Sequence, residues 1–210
     1  MVVEATPEET AMATANDPSA PEFWDIRFRE GRMPWDAGGV PHELDKYLAG
    51  ASGGGRALIP GCGAAYEVAA FHEAGYEVIA IDFSPAAVSA AARALGPLQR
   101  AVRLGDFFQY DFGTVRFDII YERAFLCSLP RRSRPAYCAR VSELLRPGGL
   151  LIGFFFYDRG EGGPPFGLGQ GELEDLLKGR FVLAAEEQAC SSVPVFAGKE
   201  RWQIRRRLEK

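Results

Sequence analysis

The chain has 210 residues, a length that suits one ordinary domain and leaves little room for a second folded unit. Its 24 basic and 28 acidic side chains give a net charge of −4, so a dedicated nucleic-acid partner is disfavoured because the molecule as a whole repels phosphate backbones. The apolar fraction of 47% supports a sizeable core, yet no uninterrupted apolar run reaches the roughly 18 to 20 residues of a bilayer span. We therefore expect a globular protein that binds neither nucleic acid nor membrane.

The cysteine pattern and the N-terminal composition bear on the compartment. The 4 cysteines lie far apart and form no C-x-x-C pair, which does not fit a disulfide scaffold. Residues 1–26 contain no Lys or Arg, so they resemble neither a secretory signal nor a transit peptide. Both features favour a cytoplasmic location.

The N-terminal segment is predicted to be a flexible arm over residues 1–21, because it has no hydrophobic period and little apolar surface. Ser19 and Glu22 have the spacing of a capping box, which predicts a short helix from this point. Trp24 and Phe28 would share one face of that helix, and Trp35 follows closely. Residues 22–210 are then expected to form a single domain, with residues 22–50 as its helical lid.

Beyond the glycine-rich connection at residues 51–55, short apolar runs alternate with helical patterns. This order favours an α/β fold in which a mostly parallel sheet is covered by helices on both faces. The predicted strands are Arg56–Pro60, Glu77–Asp82, Gln99–Leu104, Phe117–Tyr121, Leu150–Phe156, Phe181–Glu187 and Glu200–Arg206, and the predicted helices are Ala65–Ala74, Pro85–Leu95, Ser133–Leu145 and Gly171–Leu177.

The first predicted strand runs directly into a turn that contains Gly61 and Gly63 and then into a helix. Glycines there allow a ligand to approach the backbone, and the helix N-terminus offers unpaired N–H groups, so a nucleotide-like cofactor is a natural ligand. Tyr66 stands where the dinucleotide motif has its third glycine, and an ordinary tight turn is the alternative.

Two aspartates follow neighbouring strands. Asp82 lies 19 residues after Gly63 at the end of the second strand, where a carboxylate can accept hydrogen bonds from both hydroxyls of a ribose. The alternative is a helix-capping role for Asp82, although Ser84 can supply that cap. Asp106 follows the third strand and could contact an adenine amino group with Phe107 against the ring, or it could simply form an Asp turn.

Taken in order from about Pro21 to the C-terminus, the motifs of this chain resemble those of one family. It is the S-adenosylmethionine-dependent methyltransferases of the thiopurine S-methyltransferase and halide/thiol methyltransferase group. The motifs are Phe23-Trp24, Met33-Pro34-Trp35-Asp36, Ile59-Pro60-Gly61-Cys62-Gly63, Ile81-Asp82-Phe83-Ser84-Pro85, Gly105-Asp106-Phe107-Phe108, Phe125-Leu126-Cys127, Leu145-Arg146-Pro147-Gly148-Gly149 and Gly162-Gly163-Pro164-Pro165-Phe166.

The resemblance implies a Rossmann-like class I methyltransferase fold with a seven-stranded sheet whose last strand is antiparallel. It implies S-adenosyl-L-methionine as the cofactor. The acceptor would be a small soft nucleophile such as a thiol, a thiopurine, a halide or a chalcogen species. Phe28 stands where the family usually has tryptophan. Arg123 matches the thiopurine branch, whereas Pro34-Trp35-Asp36 and Pro60-Gly61-Cys62-Gly63 match the halide/thiol branch.

By position, the resemblance assigns a cofactor-binding set and one catalytic residue, Arg123. The cofactor-binding set is Trp24, Phe28, Trp35, Gly61, Gly63, Asp82, Phe83, Asp106, Phe107 and Arg123. A cation beside the acceptor would lower the pKa of a thiol, and a salt bridge with Glu122 or Asp118 is the alternative for Arg123. No metal is expected, because the chain lacks an H-E-x-x-H motif.

Two other functions remain open at this level. The first is a non-catalytic protein that binds S-adenosylmethionine. The second is a nicotinamide-dependent oxidoreductase that uses the same strand, glycine loop and acid, although the chain has no Tyr-x-x-x-Lys run. The expected partner is a small-molecule acceptor, and the expected assembly is a monomer or weak dimer.

Overall fold

A single seven-stranded sheet organises residues 6–209, which are the residues that the computed structural model describes. Its strands are β1 (Arg56–Pro60), β2 (Glu77–Asp82), β3 (Val102–Leu104), β4 (Phe117–Arg123), β5 (Leu145–Phe156), β6 (Phe181–Gln188) and β7 (Glu200–Arg207). The helices are α1 (Pro7–Asn16), α2 (Pro21–Arg29), α3 (His42–Gly50), α4 (Glu67–Glu73), α5 (Pro85–Leu95), α6 (Arg134–Leu144) and α7 (Glu172–Leu177).

The strand order is β3-β2-β1-β4-β5-β7-β6. Strands β1 to β5 pair in parallel, and β7 is antiparallel to both β5 and β6. The chain order reverses between β1 and β4, so the carboxyl ends of these strands border the crevice where open α/β sheets bind their ligands. The predicted seven-stranded sheet with an antiparallel last strand is confirmed.

Successive residues of the central strands point to opposite faces of the sheet and belong to two hydrophobic clusters, one on each face. In β1, Leu58 joins the cluster that contains Tyr137 of α6 and Leu173 of α7. Its neighbour Ile59 joins the cluster that contains Leu44 of α3, together with residues of α4 and α5. Because both faces are covered, the middle residues of β1 and β4 are apolar, as expected for a buried parallel sheet.

Two strands begin where the sequence did not predict. Residues Gly96–Ala101 form a 3-10 turn, so β3 starts at Val102 rather than Gln99. Strand β5 starts at Leu145 rather than Leu150, because Leu145 pairs with Phe117 before the register shifts. The extra residues include Pro147 and two glycines, which obscure a strand in the sequence.

The prediction of a loose arm over residues 1–21 is wrong for residues 7–16, which form α1, while residues 1–5 lie outside the described residues. The segment is rich in alanine, the strongest helix former. The predicted capping box is also wrong, because Ala20 is the N-cap of α2 and Pro21 its first residue. The hydroxyl of Ser19 instead donates to Asp17 and accepts from Arg132.

Helix α2 is held against the start of α5 by one buried carboxylate. Asp25 accepts hydrogen bonds from the hydroxyl of Ser84 and from the backbone N–H of Ala86, at the start of α5. Helix α3 packs in the core through Leu44 and Leu48, so only part of the segment predicted as a lid faces the ligand crevice. Within residues 6–209, none of the helices is both long and apolar enough to cross a bilayer.

Candidate active site

A cavity of about 500 Å³ lies at the carboxyl ends of β1, β2 and β4. Its wall is formed by α2 and the segment after it, by the loops that follow these strands, and by residues from two later loops. The structure brings every predicted site residue to this wall, namely Trp24, Phe28, Trp35, Gly61, Gly63, Asp82, Phe83, Asp106, Phe107 and Arg123. Residues separated by almost 100 positions in the chain therefore meet in one site.

The glycine turn forms one wall of the cavity under tight steric limits. Gly61 has a φ of +58°, and a Cβ placed on it would lie 2.2 Å from Cδ2 of Phe125. Only glycine fits there, because other residues would combine a left-handed backbone with a direct clash. The backbone N–H of Cys62 donates to the carbonyl of Ile81 over 3.1 Å, which joins the turn to the end of β2.

Asp82 connects this turn with the start of α5. One carboxylate oxygen accepts from the N–H of Gly63 at 3.0 Å, and the other accepts from the N–H of Ser84 at 2.9 Å. The hydroxyl of Ser84 caps α5 by accepting from the N–H of Ala87, as predicted, and the ribose contact of Asp82 stays a prediction. Burial raises the pKa of Asp82 to about 6. Each oxygen still has acceptor capacity for a ligand hydroxyl.

Asp106 forms an Asp turn, which was the predicted alternative to an adenine contact. Its carboxylate accepts from the N–H of Phe108 at 2.8 Å and from the side chain of Gln109 at 3.0 Å. The neighbouring Phe107 is buried, and its ring centroid lies 5.5 Å from that of Phe125. Because Asp106 also lines the cavity, the adenine contact stays a prediction beside the turn.

Three aromatic side chains from the N-terminal segment line the cavity together. The ring of Trp35 lies 5.4 Å from that of Trp24 and 6.3 Å from that of Phe28, both edge to face. The indole N–H of Trp24 donates to the carbonyl of Pro18 over 2.9 Å, so this ring is fixed by a hydrogen bond as well as by packing. Such clustered ring faces suit a cationic ligand.

Arg123 ends β4 on the cavity wall, with its guanidinium carbon 4.6 Å from the ring centroid of Phe154. Both terminal nitrogens are buried, and in the described part of the chain they have no hydrogen-bond partner. The predicted alternative of a salt bridge is wrong, because Asp118 pairs with Arg146. Glu122 instead accepts from two backbone N–H groups and from the hydroxyl of Tyr137.

Sequence reasoning missed two polar groups of the cavity wall. Glu67 is the first residue of α4 and is only 7% exposed, and burial raises the pKa of its carboxyl. Tyr121 is fully buried, and its hydroxyl has no partner among residues 6–209. Glu67 could have been found from its place at the helix start directly after the glycine turn, whereas Tyr121 looks like any core strand residue.

Two thiols also reach the cavity. Cys62 and Cys127 are both buried, and burial raises the pKa of each well above that of a free thiol. A protonated, packed thiol is a poor nucleophile, so these cysteines act as small apolar wall residues.

The sheet topology, the glycine turn after β1 and the acid after β2 define a methyltransferase of the class I fold. The family model for thiopurine S-methyltransferase matches residues 19–210. The chain therefore belongs to the thiopurine S-methyltransferase family, and it is an S-adenosylmethionine-dependent methyltransferase, as its motifs implied.

Two plant proteins illustrate the similarity. A probable thiol methyltransferase 2 of Arabidopsis thaliana is 34% identical over 161 residues, which cover 73% of this chain and 70% of the relative. A thiocyanate methyltransferase 1 of Brassica oleracea is 32% identical over 193 residues, covering 86% and 84%.

A solved structure shows the same fold at lower identity. It is the Burkholderia thailandensis 1,6-didemethyltoxoflavin-N1-methyltransferase with bound 1,6-didemethyltoxoflavin and S-adenosylhomocysteine. It is 22% identical to this chain, with a TM-score of 0.68, and the match covers 99% of this chain and 93% of that chain.

The cavity residues fit S-adenosylmethionine. The carboxylate of Asp82 retains acceptor capacity for hydroxyl groups, and the tight turn at Gly61 lets a ligand lie against the backbone. The aromatic cluster suits a sulfonium cation, and the orphaned nitrogens of Arg123 suit a carboxylate or another anion.

Proposed function

We propose that this methyltransferase acts on a small anionic soft nucleophile, with thiolates as the principal acceptors. The single observation that carries this proposal is the guanidinium of Arg123, which is buried at the cavity wall with two terminal nitrogens that no described residue satisfies. A buried cation without a partner is costly, so an anionic ligand at this position would be strongly favoured. The thiol and thiocyanate methyltransferases among the relatives support the same acceptor class.

In this proposal the cofactor lies between the glycine turn and the aromatic cluster. Asp82 accepts from the ribose hydroxyls, and Asp106 with Phe107 borders the adenine, while Phe83 lies beside it. Gly61 and Gly63 admit the ligand to the backbone. Trp24, Phe28 and Trp35 cover the sulfonium and exclude water.

When bound, S-adenosylmethionine supplies a methyl group on a sulfonium, and the acceptor takes it by direct in-line attack. The protein's own contribution is positioning and exclusion of water, because a thiolate and a sulfonium both lose charge during transfer and a dry site favours that loss. Arg123 favours the thiolate form of the acceptor by lowering its pKa. Its five N–H donors allow it to contact a carboxylate of the cofactor and the acceptor at the same time.

The test compares wild-type protein with Arg123→Ala on two kinds of acceptor. With a thiol, the variant should be slower, and the midpoint of its rate against pH should move upward by about 1 to 2 units because the thiolate loses its stabilising cation. With iodide or thiocyanate, which carry no proton to lose, the rate should fall without a shift in pH dependence.

Arg146→Ala is the matched control, since Arg146 is exposed and its salt bridge with Asp118 lies outside the cavity. An unchanged thiol profile in Arg123→Ala would remove Arg123 from the mechanism. Detection of the methylated product excludes a non-catalytic binding protein, and calorimetric titration with NAD tests the nicotinamide alternative.

Two further proposals concern the cell and the assembly. We place the protein in the cytoplasm on the basis of its scattered cysteines, which the structure leaves unpaired. We also propose a monomer or weak dimer that takes a small molecule and no nucleic acid.

A further inference from the structure

A buried carboxylate and a buried guanidinium lie on the same cavity wall without forming an ion pair. Glu67 begins α4 directly after the glycine turn of β1, and Arg123 ends the neighbouring strand β4. Both side chains line the cavity. Within residues 6–209, neither makes a salt bridge, so both charges remain available to a ligand.

The other carboxylates of the cavity wall are already engaged. Asp82 accepts from two backbone N–H groups, and Asp106 accepts from one backbone N–H and one side-chain amide. Asp36 accepts from the N–H of Gly38 at 2.8 Å and from the hydroxyl of Tyr66 at 3.3 Å. Glu67 is therefore the cavity carboxylate best placed to take a cation.

Opposing influences act on the Glu67 carboxyl, and the largest of them, burial, raises its pKa above the usual value. The backbone N–H of Glu67 and the guanidinium of Arg123 lower this pKa, and the nearby Asp36 raises it. The neighbouring Tyr66 and Cys62 have raised pKa values and stay neutral. Arg123 is thus a cation close enough to the Glu67 carboxyl to lower its pKa.

A pair of opposite charges that face a cavity without touching suits a ligand that carries both charges on adjacent groups. The methionyl end of S-adenosylmethionine is such a ligand, with an ammonium and a carboxylate on the same carbon. We propose that Glu67 binds this α-ammonium group while Arg123 binds the α-carboxylate. The assignment rests on the proposed cofactor orientation, and it gives Glu67 a binding role rather than a place in the methyl transfer.

The test separates the amino-acid end of the cofactor from its nucleoside. S-adenosylhomocysteine carries the zwitterion, whereas 5′-methylthioadenosine lacks it, and calorimetry measures the affinity of each. In Glu67→Gln, the affinity for S-adenosylhomocysteine should fall about 10- to 100-fold, the range of a lost hydrogen bond to a charged group. The affinity for 5′-methylthioadenosine should stay within about twofold of wild type.

Glu73→Gln is the matched control, because Glu73 is exposed at the other end of the same helix. Equal losses for both ligands in Glu67→Gln, or no loss for either, would overturn the proposal. Since a buried substitution can disturb folding, wild-type protein is also titrated with an S-adenosylhomocysteine analogue in which hydroxyl replaces the amino group.

Wild-type protein should bind that analogue about 10- to 100-fold more weakly, and equal binding would also overturn the assignment. The acceptor proposal is tested separately, by the pH profile of Arg123→Ala with a thiol. Its failure would leave the relative affinities for S-adenosylhomocysteine, its hydroxyl analogue and 5′-methylthioadenosine unchanged. Wild-type protein that binds neither nucleoside would refute the cofactor orientation and this inference together.

Discussion

Replacement of Asp82 by Asn should change both the strength and the pH dependence of cofactor binding. Each oxygen of the Asp82 carboxylate accepts one backbone N–H and retains capacity for one ribose hydroxyl. Asn offers one acceptor oxygen in place of two and no charge. Losing the charged character of two hydrogen bonds costs about 2 to 3 kcal/mol, which corresponds to roughly 30- to 150-fold weaker binding at pH 8.

The wild-type pH dependence follows from burial of the same carboxylate. With a pKa of about 6, Asp82 is ionised in roughly one-tenth of molecules at pH 5 and almost fully at pH 8. If only the ionised form accepts both hydroxyls, Asp82 makes the affinity at pH 5 about tenfold lower than at pH 8. The Asn variant should lose this contribution, so the difference between the two profiles isolates Asp82 from other titrating groups.

Calorimetric titration with S-adenosylhomocysteine between pH 5 and 8 measures both effects. Asp111→Asn is a suitable control, because the carboxylate of Asp111 also accepts a backbone N–H two residues ahead but lies outside the cavity. Binding by Asp82→Asn as tight as that of wild type at pH 8 would contradict a ribose contact of Asp82. Parallel pH profiles of the two proteins would contradict a pH dependence that arises from this carboxylate.

Two further predictions concern stability. Gly61→Ala should lower the free energy of unfolding, measured by urea denaturation, by about 2 kcal/mol or more beyond the loss in Gly96→Ala. Both glycines have positive φ, but only a Cβ at Gly61 would clash with Phe125. Equal losses of unfolding free energy in the two variants would contradict this prediction. Burial raises the pKa of Glu122 to about 7 from its usual 4.5, so the folded state holds a proton on this carboxyl that the unfolded state releases. As the pH rises from about 4.5 to 7, the contribution of Glu122 to the free energy of unfolding therefore falls by about 3 kcal/mol. Glu122→Gln should lack that loss when unfolding free energies at pH 5 and pH 8 are compared, and an unchanged difference would refute the assignment.

The alternation of apolar runs was sufficient to predict the order of strands and helices. Helix α5 and strand β2 have the predicted bounds, because Asp82, Ser84 and Pro85 mark a strand end, a helix cap and a helix start with local chemistry. The predicted site residues also gather in one cavity, since parallel strands bring their carboxyl ends to one edge.

The partners of polar side chains depended on contacts between distant parts of the chain. Ser19 has the spacing of a cap, yet Arg132 occupies its hydroxyl, and the cap position belongs to Ala20. Asp25 gives no local signal, yet it holds α2 against the start of α5.

The ion pairs of the site also depended on tertiary contacts rather than on local sequence. From the sequence, Arg123 could pair with either neighbouring acid, and only the tertiary structure shows both acids engaged elsewhere and the guanidinium left over the ring of Phe154. Local sequence determines where the backbone turns and which faces are apolar, because those preferences act over a few residues. Which charges remain unpaired at the cavity is decided only when strands and helices from the whole chain pack together and remove water from the groups between them.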